Sequence, residues 1–151
     1  MIFGKQFAPK VDGALLLKRG DDLNLNILIV DDNSDYLRLL KEALVSSGYD
    51  VHTAEDGVQG CEILASQNID LIISDIRMPR MDGIKLHSFA REMNRYKATK
   101  FVFLSGYRDV YSSIAGMKED IDYFLDKTTP VDMIVKLVDK LLFGDFARMW
   151  G

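Results

Sequence analysis

Two adjacent acids close one apolar run, Ile27-Leu28-Ile29-Val30-Asp31-Asp32, and a third closes another, Leu71-Ile72-Ile73-Ser74-Asp75. If both runs are parallel strands, three carboxylates meet at one sheet edge. Like charges a few ångströms apart resist joint ionisation, so such a cluster implies a bound cation or a raised pKa. Ser105 follows a further apolar run, Lys100 to Leu104, and Lys127 follows Asp122 to Leu125. A hydroxyl and an ammonium would then stand beside the acids. Hard oxygen donors of this kind suit Mg²⁺, which prefers octahedral coordination and keeps some waters. A carboxylate beside such an ion can serve as a nucleophile towards a phosphoryl group.

The elements that must position these groups follow from the spacing of apolar residues. Asn24 to Val30 reads as a strand, and Ser34 to Ser47 as a helix with Leu37, Leu40, Ala43 and Leu44 at helical period, ending at Gly48. Asp50 to Ala54 and Val58 to Gln67 form a second strand and helix, and Leu71 to Ser74 opens a third unit. Its helix spans about Ile84 to Tyr96. Lys100 to Leu104 and Asp109 to Met117 make the fourth pair, and Asp122 to Leu125 with Val131 to Leu142 the fifth. Strict alternation of short apolar strands with helices predicts an α/β fold, a doubly wound parallel sheet covered on both faces. In such sheets, sites lie beyond the carboxyl ends of the strands. Asp31, Asp32, Asp75, Ser105 and Lys127 all fall there.

Composition narrows the class further. A chain of 151 residues with 48% hydrophobic content suits one globular domain. A formal net charge of −4 argues against a nucleic-acid surface. Cys61 is the single cysteine, read as a small buried helix residue, which excludes an internal disulfide and fits a reducing cytoplasm. The stretch Gly13 to Leu17, bracketed by Asp12 and Lys18, is too short for a signal peptide or a membrane span.

Together these residues resemble the receiver domain of two-component response regulators. The likeness runs from about Asn26 to Leu142. It rests on Asp31-Asp32, on Asp75 within Asp75-Ile76-Arg77-Met78-Pro79-Arg80-Met81-Asp82-Gly83, on Ser105-Gly106 and on Lys127. The resemblance implies a flavodoxin-like (βα)5 fold, five parallel strands in the order 2-1-3-4-5. It implies that Asp75 is the phosphoacceptor and that Mg²⁺ is held by Asp31, Asp32, Asp75 and the backbone carbonyl of Arg77. Lys127, Ser105 and Gly106 would contact the phosphoryl group, and Ser105 with Phe124 would form the switch. The phosphodonor would be a sensor histidine kinase or a histidine phosphotransfer protein. One position departs from the pattern: proline usually follows the lysine, whereas here the run is Lys127-Thr128-Thr129-Pro130. A cis bond before Thr128 would cost about 2.5 to 4 kcal/mol, so the loop either keeps it under strain or relaxes to trans, which would seat Lys127 differently. Pro130 reads as a first-turn helix residue.

The expected organisation is an N-terminal extension (1–23), a receiver unit (24–143) and a tail (144–151). No output module is legible after Leu142, so signalling is expected through protein contacts, with Phe146 and Trp150 as candidate anchors for a partner or a second copy. Two other readings stay open. One is a receiver-like interaction module that is never phosphorylated; the other is a Mg²⁺-dependent phosphohydrolase using an aspartyl phosphate. The hydrolase would want an acid two residues after its nucleophile on the first strand, and Asn33 stands there instead. Singly, each site residue has an ordinary use: a helix cap for Asp31-Asp32, a loop for Asp75, a turn for Ser105-Gly106, a solvated end for Lys127. Those uses do not explain the joint pattern. His52 and His87 lack ligand spacing and read as surface or partly buried packing, and Met78, Met81 and Met93 as gap-fillers.

Overall fold

The computed structural model describes residues 24–106 and 117–144. In chain order these comprise β1 (Asn26–Val30), α1 (Ser34–Ser46), β2 (Asp50–Ala54), α2 (Gly57–Ser66), β3 (Leu71–Asp75), α3 (Gly83–Glu92), a 3-10 turn (Asn94–Tyr96), β4 (Lys100–Ser105), β5 (Asp122–Asp126) and α4 (Val131–Phe143). The strands form one parallel sheet in the order β2-β1-β3-β4-β5. This is the doubly wound sheet expected from the alternation. The expected helix Asp109 to Met117 lies almost wholly, and the terminal segments 1–23 and 145–151 wholly, outside the described residues.

Alternate strand residues face opposite sides of a sheet, and each side carries its own core. Ile27, Ile29, Leu71, Ile73, Val102 and Leu104 pack under Leu37, Leu40 and Leu44 of α1 and Ile134 and Val138 of α4. On the other side Leu28, Val30, Ile72, Phe101 and Phe103 meet Leu64 of α2 and Leu86 and Ala90 of α3. Each of these strand residues is at most 1% exposed, which at roughly 1.5–3 kcal/mol per large side chain makes the central strands the fold's main source of stability. The edge strands are less apolar than the alternation predicts: β2 exposes Asp50 and Thr53, and β5 is only half-buried from Tyr123 onward. Each has only one neighbouring strand.

Local signals place the helix starts. Asn33, Asp56 and Asp82 accept from the backbone N–H of Tyr36 (3.1 Å), Gln59 (2.9 Å) and Lys85 (2.9 Å), capping α1, α2 and α3. Asn33, not the Asp31-Asp32 pair, therefore caps α1. At its other end Gly48 takes φ 99° while its N–H donates to Val45, the left-handed stop that glycine allows. Pro130 precedes the first turn of α4 rather than lying in it. The third helix is shorter than its apolar period indicates. Met93 turns extended (φ −86°, ψ 127°), and Tyr96 in the following 3-10 turn donates its hydroxyl to Leu64 (2.7 Å) and Gln67 (2.6 Å) carbonyls.

His87 departs most from expectation. It is 2% exposed, with Nε2 3.0 Å from Asp122 Oδ1. The carboxylate can only accept there, so Nε2 carries the proton. Arg91 donates to the same Oδ1 at 2.6 Å and Lys118 N–H to Oδ2 at 2.9 Å. Burial pushes the His87 pKa down more than Asp122 raises it, so the imidazole stays neutral inside its aromatic surround of Phe101 and Phe103. This network ties α3 to the start of β5. Removing its acceptor strands a guanidinium and an imidazole in the core, so Asp122→Ala should lower the unfolding free energy by about 3 kcal/mol in urea titrations. The exposed Glu119→Ala should change it by less than about 0.5 kcal/mol.

Candidate functional site

The β1–β3 register sets Val30 beside Ser74, so the residues that follow, Asp31 and Asp75, leave the sheet side by side. On the other side of β3, Asp75 pairs with Leu104, and Ser105 pairs with Asp126 on β5. Asp31 N–H donates to Ala54 O at 3.1 Å, continuing the β1–β2 ladder past its last strand residue. Its Oδ1 accepts from Asn33 N–H at 2.9 Å, and the residue is 1% exposed. Asp32 points outward, exposed. Asp75 is 9% exposed, and its Oδ1 accepts from Ile76 N–H at 2.8 Å.

These three carboxylates offer oxygens that all lie within 4.8 Å of one another. Lys127 answers their charge: Nζ is 2.7 Å from Asp31 Oδ2 as an ion pair and donates to Asp75 Oδ2 at 3.1 Å. Burial, then the neighbouring Asp31 charge, push the Asp75 pKa above the usual carboxylate range despite Lys127. For Lys127, burial works downward, and the two carboxylates outweigh it to hold the pKa above its ordinary value. A clustered, oxygen-only donor set with one buried acid and one solvent-facing acid fits a hard divalent ion that keeps waters on its open side.

Ser105 is fully buried at the end of β4. Among the described residues, a Cβ on Gly106 would meet nothing within 4 Å. Arg77 lies two residues beyond β3, exposed, at the start of the loop that Gly83 closes by donating to Ile76 O at 2.8 Å. Phe124 stacks on Phe103 with centroids 4.9 Å apart and planes 17° apart, while Tyr123 packs with the core on the opposite face, as strand alternation requires.

Two functional neighbours escaped the sequence reading. Gly83 reads as helix-entry chemistry, yet a Cβ there would collide with the Asp75 carbonyl oxygen, so the α3 start rests directly against the acid's backbone. Tyr36 reads as one more amphipathic helix position. Its ring centroid lies 5.0 Å from Lys127 Nζ, and its buried hydroxyl has no hydrogen-bond partner among the described residues. Burial and the nearby Asp31 push the phenol pKa up to about 12. The i, i+4 series Tyr36, Leu40, Leu44 was the available signal that Tyr36 faces inward. Cys61 is only half-buried, with Sγ 3.5 Å from Met81 Sδ.

Comparison with known proteins identifies the family and the fold. The model of the response regulator receiver domain matches residues 27–139. The transcriptional regulatory protein GlrR of Escherichia coli K12 is 33% identical over 117 residues, which are 78% of this chain and 26% of that protein. The sensor protein EvgS of the same strain is 47% identical over 70 residues, 46% of this chain and 6% of EvgS. The chain thus spans about a quarter or less of these relatives. Among solved structures, the response regulator TrrA of Thermotoga maritima, in complex with Mg²⁺ and BeF, has a TM-score of 0.68 and 32% identity, covering 78% of this chain and 98% of that one. The signal receiver domain of an HD domain-containing protein from Pseudomonas fluorescens Pf-5 has a TM-score of 0.71 and 27% identity, covering 83% and 98%.

The raised Asp75 pKa has a thermodynamic sign that can be checked. An acid whose folded pKa lies above its unfolded value contributes stability that is complete below the unfolded pKa and is lost as pH rises through the folded one. Ionised Asp75 therefore costs the metal-free protein stability at neutral pH. Asp75→Asn should make the metal-free chain more resistant to urea at pH 7. That advantage should shrink as the pH falls to about 4, where the unfolded acid takes up its proton.

Proposed function

The chain belongs to the response regulator receiver domain family, and from that premise we propose that it accepts a phosphoryl group on Asp75 in a Mg²⁺-dependent reaction and signals through altered protein contacts. Receiver domains act with histidine kinases or phosphotransfer proteins, so the donor is a phosphohistidine. The observation that carries the reading is the Lys127 ammonium bridging Asp31 and Asp75 within the three-carboxylate cluster. Asp31, Asp32, Asp75 and the Arg77 carbonyl would hold the ion, Asp31 through a water. When bound, Mg²⁺ offsets the carboxylate charge and the charge on the phosphoryl oxygens.

Asp75 then forms an O–P bond as the donor's N–P bond breaks, the electron pair leaving with the imidazole nitrogen. Such transfers depend on positioning and charge neutralisation more than on covalent assistance. Ile76 N–H fixes the carboxylate's orientation from behind. Lys127 exchanges its hold on Asp75 for the phosphoryl oxygens, and the Ser105 hydroxyl donates to another, with Gly106 leaving the backbone room to approach. Ser105 drawn towards the phosphoryl group vacates space that Phe124 enters, altering the face of β5 and α4. Residues 24–143 form the receiver unit on this reading. Among the described residues no helix is long and apolar enough to cross a membrane.

Incubation with acetyl phosphate tests the proposal by intact-mass measurement. One phosphoryl group should appear with Mg²⁺ and not without it, and Asp75→Asn should abolish it. Lys127→Ala should slow uptake about a hundredfold, the usual scale for removing one positioned donor to developing charge. No uptake by the wild-type chain would favour an interaction module, and release of many phosphates per chain would favour a hydrolase.

A further inference from the structure

The family's proline after the lysine is missing here, and the loop holds its lysine by other means. Lys127 N–H donates to Ser105 O at 3.1 Å, extending the β4–β5 ladder by one residue. The Asp126 carboxylate then folds over the next peptide, its Oδ1 accepting from Thr128 N–H at 2.9 Å and from the Thr128 hydroxyl at 2.7 Å. Its carbonyl accepts from Thr129 N–H at 2.9 Å. Pro130 O in turn receives Met133 N–H at 3.0 Å and Ile134 N–H at 3.2 Å as α4 begins. Lys127 thus sits between a strand pairing on one side and a three-bond clip on the other. Its side chain leaves the turn over the Tyr36 ring to reach both acids.

We propose that Asp126 and Thr128 are positioning residues for Lys127, with Asp126 clipping Thr128 to supply the constraint that a proline at position 128 would otherwise provide. The chemistry is specific to this sequence. A proline has neither the N–H nor the hydroxyl that the clip uses, so the departure at position 128 and the acid at position 126 form one device. The Tyr36 ring is the wall against which the clip holds the ammonium, a cation–π contact made from the opposite element. The consequence for phosphoryl transfer rests on the function proposed above; the consequence for where Lys127 sits does not.

Two readouts separate these. In the metal-free protein, ring-current shifts should displace the Lys127 ε-CH₂ proton resonances upfield of ordinary lysine values. The displacement should persist in Asp126→Asn, whose amide oxygen still accepts, and collapse in Asp126→Ala. With acetyl phosphate and Mg²⁺, Asp126→Ala should slow uptake about tenfold, Thr128→Val at an exposed site about threefold, and Asp126→Asn hardly at all, the scale of one or two side-chain hydrogen bonds. In a Lys127→Ala background Asp126→Ala should slow uptake no further, because the two act as a unit. Unchanged Lys127 resonances in Asp126→Ala overturn the clip, as does an undiminished slowing in the Lys127→Ala background. Lost shifts with uptake unchanged uphold the clip and overturn its consequence for phosphoryl transfer. A wild-type chain that takes no phosphate refutes the function reading, and the resonances alone then decide the clip. Should Asp126→Ala not fold, Thr128→Val decides: a smaller ring-current shift upholds the clip, and an unaltered one refutes it.

Discussion

Repulsion between Asp31 and Asp75 is the constraint around which the site is arranged. Adjacent parallel strands lie about 4.8 Å apart, and the residue just past β1 and the last residue of β3 inherit that spacing. Neither acid can relax by moving away. Asp31 is tied through its N–H to β2 and through its carboxylate to the backbone N–H of Asn33, the cap of α1, and Asp75 is still within β3, with Gly83 against its carbonyl. The backbone is fixed by two buried cores, so the charge must be met by a cation brought to it. The resident cation comes from β5, two strands beyond β3 and so about 10 Å away by strand spacing. Only a long side chain spans that gap, which is a physical reason for lysine rather than a shorter donor at the end of the edge strand.

Strand alternation explains how one short strand serves several purposes. Asp122, Phe124 and Asp126 share one face of β5, and Tyr123 and Leu125 share the other. The first set reaches the buried His87–Arg91 network, the Phe103 ring and the Lys127 loop in turn. Lys127 follows the second set, which faces α1 and α4, and this parity brings it over Tyr36 of α1. Binding the acids and bracing the loop therefore fall to neighbouring residues pointing opposite ways.

The parts of this structure visible in the sequence are those with a local cause. β1, β3 and β4 are buried on both faces and read as unbroken apolar runs, and Asp31, Asp75 and Ser105 each stand at the end of such a run, which is why the sequence alone brings them to one sheet edge. Caps at Asn33, Asp56 and Asp82 have a local cause too, although the sequence offered Asp31-Asp32 rather than Asn33 for α1. Long-range pairings were not legible. His87 and Asp122 lie 35 positions apart, and nothing in either neighbourhood announces a shared buried network. Tyr96 looks like the last apolar residue of a helix, yet the chain breaks at Met93 because its hydroxyl is drawn to the carbonyls at the end of α2. Asp126 reads as the polar end of a strand, and its clip appears only when the turn is seen in three dimensions.

On the function proposed above, the placement of the cation just past an edge strand also bears on where a signal would leave. β5 has one pairing partner, β4, whereas β3 is held on both sides, so a change in how Lys127 is engaged meets least resistance in β5. The strand is nevertheless pinned at its start, where Asp122 is locked to α3, so on the function proposed above displacement would concentrate towards Phe124 and Asp126. Phe124 has no hydroxyl to reward an alternative position with a hydrogen bond. Its preference between packing on Phe103 and any other arrangement is set by burial and ring contact alone. A ligand at the acids can shift that preference only by as much as it binds one arrangement better than the other. On the function proposed above, that differential would reach Phe124 by two routes, the space that Ser105 vacates and the two residues of strand joined to Ser105 through the Lys127 backbone bond, and the stiffness of the loop beyond β5 would govern the second.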